Sequence, residues 1–209
     1  MIDFDASSIV PSTRDLLQVL STRRKSLAVV ALIGPEKPAE DAARLVDQNV
    51  SAFAFAEPGS AMQLGARASK TVPSLCLMPI EDKDGNLAAR YWGADGVCIG
   101  IDQPEGEWDR LAKGARTMRM LPIASARDAE GFEAAVKAGA RAILVRVASA
   151  EAFIEATKNA PRNVTIVAEI EGADADALRA LVGKADAVIV PHAIHLSTGF
   201  ESFVSEVDP

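Results

Sequence analysis

Eight short apolar segments recur along the chain: Ala28–Ile33, Ser51–Ala56, Val72–Met78, Asp95–Ile101, Met120–Ser125, Arg141–Val147, Val164–Ile170 and Asp186–Val190. Their starts lie 21 to 25 residues apart. A step of that length holds one strand, one helix and two short loops. Strands joined through helical crossovers run parallel, and eight of them close into a cylinder with no exposed sheet edge. The spacing therefore predicts an α/β chain folded as a single (β/α)8 (TIM) barrel domain over residues 1–209. Barrels of this kind place their chemistry at the C-terminal ends of the strands. The fold expectation thus also says where a site belongs.

Composition narrows the function classes. The 209 residues make a compact barrel against a typical length of about 250, without room for a second ordinary domain. Hydrophobic residues are 49% of the chain but aromatics only 5%, so the core is built mainly from Ala, Val, Leu and Ile. A net charge of −7 argues against nucleic acid, which selects clustered Lys and Arg. No apolar run reaches the length needed to span a bilayer. The acidic start, Met1-Ile2-Asp3-Phe4-Asp5, lacks the basic segment of a secretory signal. Cys76 and Cys98 lie within neighbouring predicted strands and read as reduced core residues. Together these features predict a cytoplasmic protein.

Local signals fill in the repeat. Met1–Pro11 reads as an irregular lead-in, and Ser12 as the N-cap of a helix carrying Leu16, Leu17, Val19 and Leu20. That helix, before the first strand, suits a lid across the bottom of the barrel. Arg23-Arg24-Lys25 then reads as charge placed at its C-terminal end. Asn49, Gly65-Ala66, Gly93-Ala94 and Gly139-Ala140 are expected to end helices in the left-handed conformation. Pro38 is placed to open a helix, Asp128 and Ser149 to cap two others, and Pro73 and Pro122 to begin strands. Glu81–Asn86, with its Asp84-Gly85 turn, reads as a polar loop on the functional face. Tyr91, Trp92 and Trp108 are expected to fill gaps between helices and barrel, or else to face another subunit.

Several strand ends are more specific than a generic barrel. Ser51–Gly59 (SAFAFAEPG), Thr165-Ile166-Val167-Ala168-Glu169, Lys184–Val190 and the lead-in helix running into Leu27–Ala31 occur in the order and spacing of the indole-3-glycerol-phosphate synthase family. The chain resembles that family from about Ser12 to Phe203. The resemblance implies a ribulose-phosphate-binding type of barrel and a carbon–carbon lyase of tryptophan biosynthesis, with Glu169 and Glu57 as its surviving acids. The departures carry more weight. The family's proton-donating lysine on the third strand is replaced by Met78, its fifth-strand glutamate by Ser125, and its sixth-strand asparagine by Arg146. The first strand carries no charge before Glu36-Lys37. A positioned acid or base typically supplies about 10²–10⁴ in rate, and methionine donates no proton. Lys37 and Lys83 are the loop lysines that would have to substitute. The family's phosphate site is also altered: Gly172 remains after strand seven, but Pro191 after strand eight removes an N–H donor.

Glu57 and Glu169 are therefore the candidate catalytic groups. Arg146, Arg127, Ser125, Gly172 and His192 are the candidate ligand-binding residues, because guanidinium forks match phosphate and carboxylate. Arg146, Glu169 and His192 are expected to line the mouth, with Glu57 and Arg127 at its rim. Arg146 and Glu169 have a second reading, in which they only neutralise each other. His192 and His195, three residues apart, would share a helix face, but without a third ligand they do not make a metal site. No metal or cofactor is expected.

Three functions remain open on the sequence. The first is a diverged barrel binding a small phosphate- or carboxylate-bearing anion, for altered chemistry or sensing. The second is a pseudoenzyme scaffold, its mouth plugged by Met78, Phe55 and Pro79, retained for a protein partner or for homo-oligomers. The third is an active synthase.

Overall fold

The computed structural model describes residues 9–104 and 106–208; the lead-in residues Met1–Ser8 lie outside them. The strands are β1 (Ala28–Leu32), β2 (Ala52–Phe55), β3 (Ser74–Cys76), β4 (Gly96–Gly100), β5 (Leu121–Ala126), β6 (Ala142–Val147), β7 (Thr165–Ile170) and β8 (Ala187–Val190). They pair in sequence order, all parallel, and β8 closes on β1. A helix, α1 (Leu16–Leu20), precedes the barrel. Between the strands run α2 (Pro38–Asp47), α3 (Ser60–Ala68), α4 (Lys83–Tyr91), α5 (Glu107–Thr117), α6 (Ala129–Lys137), α7 (Ala150–Ala156) and α8 (Ala175–Arg179). A short α9 (His192–His195) and α10 (Phe200–Val207) follow β8. The chain is a (β/α)8 barrel, as its spacing predicts.

Alternation along each strand splits the core in two. Residues such as Val29, Ala31, Phe53, Cys76, Val97 and Val145 pack outward against the helices. Ala28, Val30, Ala52, Leu75, Cys98, Ile123, Ala142, Leu144, Val167 and Ala187 fill the interior. The interior's lower layer is made of small residues, and Leu16 and Leu20 of α1 complete it. A Cβ at Gly96 would overlap Leu16. The first helix is thus part of the core, seated where a lid was expected.

Two buried carboxylates hold this arrangement. Asp95, just before β4, accepts from the Ser74 amide at 2.8 Å and the Ser12 hydroxyl at 2.6 Å, and pairs with Arg14 at 2.7 Å and Arg90 at 3.0 Å. Asp186, just before β8, accepts from the Ile166 amide and the Arg24 amide, each at 2.9 Å. The two are equivalent across the half-barrel: each also donates its own N–H to the carbonyl of the residue whose amide it receives. The segment from Ser12 to Arg24, which carries α1, is thereby fastened at both ends beneath the barrel.

Several local expectations change in this light. Ser12 is not the N-cap of α1; Asp15 caps it through the Gln18 amide, and Ser12 serves Asp95. Arg23-Arg24-Lys25 lies beyond the end of α1, and Arg24 instead donates to the Pro161 carbonyl at 2.9 Å. Gly65 sits inside α3, where a Cβ would come within 2.6 Å of the Phe55 ring; it permits close packing and ends nothing. Most of Glu81–Asn86 is helical, because Asp82 caps α4 through the Gly85 amide. Asn86 is buried and donates to the Leu111 carbonyl at 3.1 Å. Asp128, Ser149 and Pro38 act at helix N-termini as expected, and Asn49, Gly93 and Gly139 adopt positive φ at helix ends.

Breaking a buried ion pair from one side leaves an uncompensated charge and typically costs about 3–5 kcal/mol. Asp95→Ala is expected to destabilise by that amount, and by more than Asp186→Ala, whose nearest guanidinium nitrogen is 3.8 Å away. Urea denaturation of the two variants against wild type checks both the size and the order.

Candidate functional site

The interior positions alternate up to the mouth, where Arg146 on β6 and Glu169 on β7 stand at the top, while Ser125 on β5 pairs with Leu144, one inward position below Arg146. Arg146 and Glu169 are direct partners in the β6–β7 register. Their side chains meet at 2.6 Å from Nε to Oε2, and both are partly exposed. Arg146 also sends an Nη2 donor over the interior to the Leu77 carbonyl, 2.6 Å away beyond β3. The pair therefore neutralises itself and braces two sides of the mouth, while the remaining guanidinium donors have no partner among the described residues.

Above and beside this brace lies a cavity of about 520 Å³, within the range of small-molecule sites. Its walls include Arg127, Arg146, Glu169, Gly172, Leu32 and Pro191. Arg127 follows β5, is exposed, and makes no ion pair or side-chain hydrogen bond among the described residues. Gly172, in the loop after β7, has φ +64°, a conformation that favours glycine and turns the chain tightly at the cavity wall. Glu171 stands at the rim, exposed.

Four sequence-derived candidates thus come together: Arg127, Arg146, Glu169 and Gly172. The other three do not line this cavity. Ser125 is buried below it. Glu57 is exposed after β2, on the side of Cys76, whose thiol is pushed up to about 11 by burial, with a smaller contribution from Glu57. His192 stands on the β1 side of the barrel's mouth end: its Nε2 lies 3.3 Å from Asp41 in the first turn of α2, and its ring packs over Gly34. Sequence order places His192 on the strand after Glu169's, but its contacts are with the β1–α2 connection rather than with Glu169.

His192 and His195 share one face of α9, as their spacing predicts. The rings meet edge to face at 4.8 Å, but both nitrogens of His195 are occupied. Nε2 donates to the Leu32 carbonyl at 2.8 Å, and Nδ1 accepts from Arg44 at 2.9 Å. Arg44 donates as well to the His195 carbonyl at 2.8 Å. His195 is a neutral joint between β1, α2 and α9, with no lone pair left for a metal.

The plug expected from Met78, Phe55 and Pro79 is absent from the cavity walls. Phe55 is buried in the helix-facing layer against Gly65, and Met78 is 42% exposed. Cys98 lies in the interior, and burial raises its thiol above the ordinary range. Trp108 is buried and Trp92 partly buried within the helix layer, so both fill gaps there.

No protein-family model matches the chain, and no curated protein matches its sequence. Solved structures do match its fold. A thiamine phosphate pyrophosphorylase from Pyrococcus furiosus superposes with a TM-score of 0.65 at 16% identity, over 89% of this chain and 99% of that one. The N-acetylmannosamine-6-phosphate 2-epimerase of Clostridium perfringens gives 0.67 at 13% identity, over 88% and 92%. A 3-hexulose-6-phosphate synthase gives 0.67 at 14%, over 87% and 98%. At such identities the likeness shows the barrel alone. These are enzymes named for phosphate compounds, and none of the three is an indole-3-glycerol-phosphate synthase. Among the described residues, no helix is long and apolar enough to cross a membrane.

His195 makes folding depend on pH. Burial, helped by His192 and Arg44, holds its imidazole below the ordinary value. An unfolded histidine titrates near 6.5, so below that pH the unfolded chain takes up a proton that the folded chain refuses. Stability is expected to be flat above about pH 7 and to fall below about pH 6.5, by at most about 1.4 kcal/mol per pH unit. Urea midpoints at pH 7.5 and 5.5 measure the decline, which His195→Gln should flatten.

Proposed function

We propose that this chain is a diverged, synthase-like barrel that binds a small phosphate- or carboxylate-bearing molecule at the mouth. The observation that carries the reading is Arg127, an unpartnered guanidinium on the wall of an open cavity that also holds Arg146 and Gly172. A planar fork of donors suits a phosphate or carboxylate. Gly172 lets the backbone approach such a group, and the braced Arg146–Glu169 pair forms a floor with donors to spare. The phosphate compounds in the names of the three similar structures fit the same ligand class.

Glu169 is the chain's candidate acid–base group, since its carboxylate stands at the cavity wall and Arg146 fixes its orientation. Glu57 would act from outside this cavity, which weakens its catalytic reading. Indole ring closure is disfavoured on chemical grounds. The cavity walls hold no lysine among the described residues. Met78 stands at the family's proton-donor position, Lys37 is engaged with Glu40 at 3.2 Å, and Lys83 opens α4 as an exposed residue. The scaffold reading is disfavoured because Phe55, Met78 and Pro79 leave the mouth open.

Two outcomes are expected. Purified protein forms no detectable indole product from the phosphorylated anthranilate-deoxyribulose substrate in a fluorescence assay, and turnover at ordinary enzymatic rates of about 1–10³ per second would refute this. Calorimetric titration with ribulose 5-phosphate shows saturable binding that Arg127→Ala weakens roughly tenfold, the lower end for a hydrogen bond to a charged group. Equal affinity in wild type and Arg127→Ala would remove the mouth as the ligand site.

A further inference from the structure

The opposite face of the barrel holds a second cavity, of about 470 Å³, beneath β5 and β6. Arg116 lies in the last turn of α5, Arg119 in the loop before β5, and Arg141 in the loop before β6. All three are exposed and line this cavity. None of their guanidinium groups has a partner among the described residues. Arg14, also in the wall, is already committed to Asp95. The acid in the wall is Asp15, one of whose oxygens caps α1. Three free cations thus face one carboxylate, in a chain whose net charge is −7. Half-buried Leu17 and Leu121 give the cavity an apolar floor.

Helix polarity accounts for Arg116, since cations are favourable near a helix C-terminus. It does not account for Arg119, whose φ is +55°. The barrel supplies its own internal comparison here. Four helices end with the same hydrogen-bond pattern, in which the left-handed residue donates three residues back and the next residue five back. At three of them the left-handed position holds Asn49, Gly93 or Gly139, the residue types suited to that backbone. At the fourth it holds Arg119, against that preference. Its side chain faces the cavity shared with Arg141.

We propose that this cavity is a second, non-catalytic binding site for a small organic anion, a phosphate or carboxylate ester or acid with an apolar body. Guanidinium groups from two loops supply the charge recognition, and Leu17 and Leu121 the apolar contact. The cavity volume is that of a small-molecule site. It lies at the end of the barrel remote from the strand C-termini, so an occupant there binds without meeting Glu169.

Phenyl phosphate is the probe, since it combines the anion with a compact apolar ring. Calorimetry is expected to show saturable binding that falls at least about tenfold in both Arg119→Gly and Arg141→Ala and persists in Arg127→Ala. Arg119→Gly should melt no lower than wild type, because glycine is at ease in the left-handed conformation, so its loss of binding is not a loss of fold. Absence of saturable binding, or binding untouched by both variants, overturns the proposal. Binding lost only in Arg127→Ala also overturns it and assigns the probe to the mouth. Failure of the mouth reading, seen as no response to ribulose 5-phosphate, leaves this result independent.

Discussion

Asp95 and Asp186 are the constraint on which the rest of the structure depends. Each is buried at the bottom of a strand, each stitches its own strand to the preceding one, and each takes a donor from the segment that leads into the barrel. A carboxylate stripped of water is costly unless every lone pair has a partner. Asp95 meets that condition with two arginines, a hydroxyl and an amide. The segment before β1 cannot leave without stripping Asp95 of Ser12 and Arg14 and Asp186 of the Arg24 amide. It therefore stays, and Leu16 and Leu20 enter an interior that Ala28, Ala52, Gly96, Ala142 and Ala187 are too small to fill alone. The low aromatic content of the chain and the presence of α1 are two sides of one packing solution.

The same principle, applied at the mouth, gives the opposite result. Arg146 and Glu169 satisfy each other only partly, because they remain partly exposed and several donors of Arg146 have no partner among the described residues. The brace to Leu77 fixes the guanidinium without using it up. Arg127 has no brace at all. The carboxylates buried at the bottom are saturated by protein, whereas the guanidinium donors at the mouth are left partly unused.

Much of the fold was legible because a fixed step between apolar runs admits few topologies, and neighbouring strands follow from sequence order. The Arg146–Glu169 contact was legible for that reason: two residues at matching points of consecutive parallel strands must meet. Other features depended on distant partners. Nothing local distinguishes Gly65, which accommodates the Phe55 ring, from the helix-ending Gly93 and Gly139. Ser12 has the chemistry of a cap and is used by Asp95 from 83 residues away. The spacing of His192 and His195 shows that they share a helix face, but not that Arg44 and Leu32, on elements far earlier in the chain, take both ring nitrogens of His195. The Asp82 cap was locally readable, and the Asp84-Gly85 turn signal obscured it.

The two ends of the barrel also differ in how charge is arranged with respect to the helices. Every barrel helix starts near the mouth and ends near the base, so acids at first turns and cations at last turns are the arrangement helix polarity favours. Glu40, Asp84, Glu107, Glu130 and Asp176 obey it at one end, and Arg67, Arg90, Arg116 and Lys137 at the other. Against this background, the informative charges are those the rule does not require. Arg127 is a cation at the acidic end, and Arg119 is a cation placed where the backbone asks for glycine. At the mouth the first-turn carboxylates offset the positive helix N-termini, so an anion arriving there depends on Arg127 and the spare donors of Arg146 for recognition. At the base the last-turn cations offset the negative helix C-termini in the same way, so there the surplus positive charge comes from Arg119 and Arg141, which no helix end requires.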